Sequence, residues 1–406
     1  YSAVLSTDDA EKLRTIAETY ITDDTELVSR LDELSSALGE ICAMCTDSEY
    51  VKSTDEGEVS YGFYESSSAP SELIRCAGNL SRVLRRIIRD GGDYTELLEE
   101  HNRTLSKLVF ASSYFDEKFR FFASRENNRV KAEILCLDPS GVLSAMLSAA
   151  RAVVLFSATL SPIEYFCEVT GLDGAKTLEL QSPYERDNLC LVAYDSISTK
   201  LADRKASAYD CAEVIAETVS AREGNYIAYF PSYEYMRRVC KLFAEIMPEM
   251  SIVMQKQNMS YRERERFISL FRSRKSGAVI GFCVLGGMFS EGIDLAGESL
   301  IGTIIVGTGM PQLSAERNIM AAYYDEINER GRDFAYVCPG MNKVMQAAGR
   351  VIRSESDRGV IVWIDDRLGD ANIKLMLPPH WRHIKYTGDT SSLSAILDSF
   401  WEKHAD

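Results

Sequence analysis

Histidine and tryptophan are scarce in this chain, at four and three residues in 406. His101, His380, His383 and His404 form no plausible triad with a nucleophile, which removes the commonest acyl-transfer chemistry. No apolar run reaches the length of a membrane span, and no signal-peptide pattern is present. Positive charge is in deficit: 45 Lys and Arg stand against 61 Asp and Glu, for a net charge of −16 and a pI near 4.9. Such a chain does not coat a polyanion through bulk charge, so any contact of that kind must come from local basic patches. The phosphate-cradling string Gly-x-x-x-x-Gly-Lys-Ser/Thr does not occur in the 406 residues. Metal-like cysteine spacing is confined to Cys42-Ala43-Met44-Cys45, and no second pair or nearby histidine completes a four-ligand set. The ten cysteines therefore read as reduced thiols of a cytoplasmic chain, with no metal. The first residue is Tyr1, which suggests a processed or excised piece of something longer.

What is present is ordinary globular material, 46% hydrophobic and 26% charged, in a chain long enough for two or three domains. Residues 1–115 read as helices, with Asp8-Asp9 and Asp24 as caps and leucines recurring at helical spacing from Leu27 to Ile41. A polar, hairpin-like interval at 53–68 separates them from helices at 71–89 and 94–111. Arg82, Arg85, Arg86 and Arg89 form a basic run that is either a DNA-facing stripe or a solvated face. Two strands around an Asn127-Asn128 turn follow, then a helix opened by Asp138-Pro139. The apolar run 152–156 has the character of a buried parallel strand.

From about residue 188 strands and helices alternate. Strands are expected at 189–193, 226–230, 251–254, 278–282, 303–306 and 360–364, with helices at 206–220, 233–246, 261–273, 314–329 and 342–352. That alternation predicts an α/β fold, a doubly wound parallel sheet with helices on both faces, preceded by a mainly helical N-terminal region. A terminal helix is expected at 391–403, and no internal repeat is visible.

Several short strings sit at the ends of these strands. Ser157-Ala158-Thr159-Leu160 places two hydroxyls where open α/β sheets bind ligands. Phe230-Pro231-Ser232-Tyr233 ends a strand and opens a helix, suiting a phosphate or serving as an ordinary capped turn. Ser290-Glu291-Gly292-Ile293-Asp294-Leu295 is either an acidic loop or a holder of ribose, a magnesium-bound water or an arginine. Gly307-Thr308-Gly309 lacks the third glycine and acidic partner of a dinucleotide fingerprint. On a helix that follows a Pro339-Gly340 turn and is capped by Asn342, Gln346, Gly349, Arg350 and Arg353 would share one face, suited to a polyanion.

Taken in order, the strings at 157–160, 230–233, 290–295 and 346–353 resemble motifs III, IV, V and VI of the XPD/DinG family of superfamily 2 DNA helicases. The likeness extends over 154–162, 286–297 and 346–359, and covers roughly residues 119–367. It implies the C-terminal part of an ATP-dependent 5′-to-3′ helicase of DNA repair or replication, with RecA-like architecture. Residues 1–115 would be an Arch-like region, 116–180 the tail of motor domain 1, and 181–406 motor domain 2. By resemblance Arg350 and Arg353 reach the γ-phosphate, while Gln346, Gly349, Glu291, Gly292 and Asp294 line the ATP cleft. Ser157 and Thr159 would couple nucleotide state to DNA grip, and Ser232 and Tyr233 would meet the backbone of single-stranded or forked DNA. ATP and magnesium belong to the complete enzyme. The family's iron–sulfur ligands lie upstream of the Arch-type insertion, so Cys42 and Cys45 do not inherit that role. With neither the phosphate loop nor an Asp-Glu-Ala-His box present, the residues in hand are expected to be inactive alone. Two other readings stand beside this one: a non-enzymatic nucleic-acid or protein-binding module with a RecA-like fold, and a Rossmann-like transferase using the 307–312 loop.

Overall fold

A computed structural model describes residues 1–54, 57–272, 277–290, 295 and 297–404. The chain forms two compact units. The first comprises 1–153, 167–174 and 313–329; the second comprises 154–166, 175–312 and 330–406.

In the first unit β1 (Ala3–Ser6) leads into α1 (Thr7–Tyr20) and α2 (Thr25–Met44). The hairpin β2 (Thr46–Thr54) and β3 (Gly57–Ser66) is followed by α3 (Ser71–Asp90) and α4 (Thr95–Ser112). A second hairpin, β4 (Phe119–Glu126) and β5 (Arg129–Cys136), turns at Asn127, whose φ of 55° is a left-handed value that Asn tolerates. α5 spans Ser140–Leu147. The strands make one five-stranded antiparallel sheet in the order β1-β5-β4-β3-β2. Four helices bury Leu31, Leu38, Leu80, Leu84 and Leu108 against Phe119, Phe121 and Ile134 of this sheet. The N-terminal region is thus mainly helical, as expected, with a sheet for its floor. Ser6, not Asp8-Asp9, caps α1: its hydroxyl accepts the Asp9 N–H, and the Asp9 carboxylate takes the Ser6 N–H at 2.9 Å. Asp24 caps α2 as expected.

After α6 (Ile163–Thr170) come β6 (Leu189–Tyr194), α7 (Ala208–Ser220), β7 (Asn225–Phe230) and α8 (Tyr233–Ile246). Next are β8 (Ser251–Met254), α9 (Tyr261–Arg272), β9 (Val279–Val284) and β10 (Gly302–Val306). α10 (Ala315–Asn328), α11 (Cys338–Ala348), β11 (Gly359–Ile364), α12 (Ala371–Met376), β12 (Lys385–Thr387) and α13 (Thr390–Lys403) complete the chain. Seven strands form a wholly parallel sheet in the order β12-β6-β11-β10-β7-β9-β8. α7, α8 and α13 cover one face and α9, α11 and α12 the other, so the central strands are buried end to end. This is the doubly wound α/β sheet that the alternation predicts. α10 follows β10 in sequence yet belongs to the first unit, where the Tyr323 hydroxyl donates to Asp138 at 3.3 Å and Asn328 donates to Glu168 at 3.0 Å.

Two further expectations fail. Residues 152–156 form no strand, and Val154 and Phe156 are 80% and 89% exposed. A buried strand needs neighbours to take its backbone hydrogen bonds, and this run pairs with no strand among the described residues. The second failure concerns the expected helix at 342–352. Pro339-Gly340 is no turn and Asn342 no cap, because α11 continues from a π-type turn at Asp333–Val337 and starts at Cys338. Pro339 lies in the first turn of α11, which the chain enters from the helical backbone of the π-type turn at Asp333–Val337. Gly340 lets that turn press on the backbone after β10: a Cβ there would lie 2.7 Å from the Met310 nitrogen.

Gly359 opens β11 where a Cβ would strike the Val351 side chain and lie 2.7 Å from the Ile301 carbonyl oxygen. Gly359→Ala should therefore destabilise the fold by about 1–3 kcal/mol through overpacking. Urea unfolding checks it: the midpoint should fall with an unchanged slope.

Candidate functional site

The carboxyl ends of the parallel strands gather three polar groups. After β7, Ser232 takes an extended backbone and caps α8, its hydroxyl accepting the Tyr235 N–H at 3.2 Å. The Tyr233 hydroxyl accepts from Gln255 Nε2 at 2.8 Å, and Gln255 Oε1 accepts the Val284 N–H at 3.0 Å. Gln255 is 2% exposed, so this amide fastens the ends of β8 and β9 to the start of α8. Beyond β11, the buried Asp365 receives the Thr199 hydroxyl and two bonds from the Arg367 guanidinium at 2.7 and 2.8 Å. A buried carboxylate needs such partners to offset its lost hydration. Lys200 Nζ reaches Asp366 at 2.8 Å, and Trp363 Nε1 donates to the Gly307 carbonyl at 2.8 Å.

The arginine pair is built differently. α11 ends at Ala348 with Gly349 as its cap, so Arg350 and Arg353 lie on the turn that follows and not on a shared helix face. The physical reason is the crossover itself. A helix joining parallel strands starts near one strand's carboxyl end and must return to the next strand's start, and Val351 already packs beside Gly359. The expectation that every motif sits at the strand-end rim therefore fails for these two residues. From this turn Arg350 Nε reaches back to the Ser290 carbonyl at 3.2 Å. The buried Tyr229 hydroxyl donates to the adjacent Phe289 carbonyl at 2.7 Å. Burial pushes the Tyr229 phenol well above its usual range; the nearby guanidinium charges of Arg350 and Arg353 act in the opposite direction.

Asp357 holds the turn. It is 6% exposed and accepts the N–H groups of Arg353 at 2.8 Å and Ser354 at 2.9 Å, with the Ser354 hydroxyl at 2.6 Å. Burial alone would raise its pKa; the bonds from Ser354, the Arg353 amide and the Gly297 amide outweigh that and hold it below the ordinary carboxylate range. Tyr184 adds a bond to the Arg353 carbonyl at 2.9 Å.

Gln346 is half-buried in the last turns of α11, and Gly349 is exposed. Ser157 and Thr159 hold their hydroxyls 3.2 Å apart, Ser157 in solvent. Glu291, Gly292 and Asp294 lie outside the described residues. Among the described residues no group of three metal-ligating side chains converges.

Residues 215–384 match the helicase C-terminal domain family. Subunit XPD, the general transcription and DNA repair factor IIH helicase of Dictyostelium discoideum, is 24% identical over 348 residues, covering 78% of this chain and 43% of that protein. The ATP-dependent DNA helicase chl1 of Aspergillus fumigatus is 25% identical over 382 residues, covering 77% and 48%. Over these residues the chain is similar to the C-terminal region of XPD/DinG-family helicases. The fold agrees: a structure of S. tokodaii Xpd4 superposes with a TM-score of 0.59 over 95% of this chain and 72% of that one, at 14% identity. An XPD helicase structure gives 0.56 over 95% and 65%, at 18% identity. The chain spans about half the length of these curated relatives.

The matched segment contains Ser232, Tyr233, Gln346, Gly349, Arg350 and Arg353; Ser157 and Thr159 precede it. Sequence reasoning missed Asp357, Tyr229, Gln255 and the Thr199–Asp365–Arg367 cluster. Two carboxylates directly after the 360–364 strand were a visible signal for the last. Nothing in sequence marks Gln255, whose role is set by strand order.

A depressed carboxylate contributes stability that is present above its unfolded pKa of about 3.9 and lost as pH falls through the folded value. Asp357→Ala should cost about 1–3 kcal/mol at pH 7 by orphaning buried amides. In thermal melts the gap between wild type and variant should be full at pH 7 and narrow below pH of about 4.

Proposed function

We propose that this chain is the C-terminal portion of an ATP-dependent 5′-to-3′ DNA helicase that couples ATP hydrolysis to movement on single-stranded DNA in repair or replication. One observation carries the reading. The string from Gln346 to Arg353 lies inside the segment that matches the helicase C-terminal domain family, on the turn that Asp357 fixes. In this role Arg350 and Arg353 supply positive charge to a transferring γ-phosphoryl group held by a first motor domain, with Gln346, Gly349, Glu291, Gly292 and Asp294 beside it. The support for the pair is this motif and its tethering, since rim geometry does not supply it.

Ser232 and Tyr233 face DNA in this reading, with the α8 cap leaving backbone amides for a phosphate. Ser157 and Thr159 couple the two events. Residues 1–115 serve as an Arch-like region, 116–180 as the tail of motor domain 1 and 181–406 as motor domain 2. The apolar run at 153–156, solvent-exposed here, supports reading that stretch as part of a sheet completed by other residues. Ten free thiols fit a reducing compartment.

Arg353→Ala in the full-length protein should lower ATP turnover on the order of a thousandfold or more. The substitution leaves in place the backbone bonds of residue 353 to Asp357 and Tyr184. Affinity for single-stranded DNA should be largely spared, and equal loss of both would refute the assignment. The 406 residues alone should show no DNA-stimulated ATP turnover, because no phosphate-cradling loop is among them.

A further inference from the structure

α3 carries five basic residues, Arg75, Arg82, Arg85, Arg86 and Arg89, and every one is arginine. Two are spent inside the protein. Arg75 pairs with Glu72 at 2.5 Å and approaches Glu33 at 3.8 Å. Arg86 bridges Asp24 at 2.7 Å and Glu26 at 2.5 Å, fastening α3 to the start of α2. The other three are exposed and have no carboxylate within ion-pair distance among the described residues. Arg82 bonds the Asn79 side chain, and Arg85 Nε donates to the Ser81 carbonyl at 3.3 Å.

Offsets of three and seven put Arg82, Arg85 and Arg89 on one face, over about 10 Å of helix. The opposite face is buried through Leu73, Ala77, Leu80, Leu84 and Ile87. Ser81 locks α3 to α4 through Asn102 at 2.7 Å and Ser106 at 3.2 Å. The guanidiniums therefore project from a fixed element. In a chain with net charge −16, three exposed arginines that make no ion pair among the described residues suit an anionic partner from outside. A face kept only for solubility would be served equally by lysine, whereas the planar guanidinium fork matches phosphate oxygens bidentately.

We propose that Arg82, Arg85 and Arg89 form a second nucleic-acid contact, binding the phosphodiester backbone of single-stranded DNA without reading its sequence. This rests on the helicase reading and adds to it a contact surface in the first unit. Lined by charge rather than by stacking aromatics, the stripe binds through counterion release.

Fluorescence anisotropy of a labelled oligo-dT with the full-length protein, over a salt series, tests it. Each phosphate contact on a single strand contributes about 0.7 to the slope of log affinity against log salt. The triple variant Arg82→Glu, Arg85→Glu, Arg89→Glu should flatten that slope by about 2. The triple lysine variant should keep the slope, and Arg89→Gln alone, a milder change to the fold, should lower it by about 0.7. An unchanged slope in both the triple Glu variant and Arg89→Gln overturns the proposal. So does loss of poly-glutamate binding with oligo-dT binding retained, which would assign the stripe to an acidic protein. If the wild type binds no oligo-dT at all, the helicase reading falls as well. Wild-type binding with an unaltered slope in the variants removes this contact alone.

Discussion

A wholly parallel sheet imposes one constraint from which the rest of the second unit follows. Each strand must be re-entered from its starting end, so every connection travels back along a face, and both faces must be covered. Helices α7, α8 and α13 on one side and α9, α11 and α12 on the other satisfy that need. The same constraint divides the polar residues into two sets. Loops leaving strands hold Ser232, Tyr233 and the Asp365 cluster, whereas the turn feeding β11 holds Arg350 and Arg353. The nucleotide role proposed for the arginines then belongs to the face that α11 covers, and the nucleic-acid role proposed for Ser232 to the rim.

Much of this architecture was legible in the sequence. The strands from β6 to β11 and the helices from α7 to α10 were found within a few residues, because continuous apolar runs alternating with helical periodicity report burial directly. Three features escaped. The end of α11 depended on where the crossover had to turn, and Pro339-Gly340, which looks like a turn before the helix, lies inside it. Residues 152–156 looked like a strand by composition, but a strand exists only where a neighbour takes its hydrogen bonds. The Gln255 bridge depends on β8, β9 and β7 lying side by side in space, an order no local pattern states. Within the candidate site the arginine string could be read by its residues, whereas Asp357, which orients it, could be recognised only once its three bonds to residues 353 and 354 were seen.

Charge is distributed to the same end. Some cations of this strongly acidic chain are engaged within it: Arg367 pairs with Asp365, and Arg86 ties α3 to α2. Cations left over in such a chain are informative in a way they would not be in a basic one. The buried polar groups follow a matching rule, with Asp357 and Asp365 each receiving several donors and neither left to meet the interior alone.

α10 is encoded between β10 and α11 but completes the first unit. On a ribosome the N-terminal sheet and its helices emerge early, yet the last piece of their unit is made only when synthesis has passed residue 328. Until then the partners awaiting it, Asp138 and Glu168 among them, have no helix to receive. Synthesis must therefore pass most of the parallel sheet before the first unit is finished, and neither unit is encoded as an uninterrupted stretch of message.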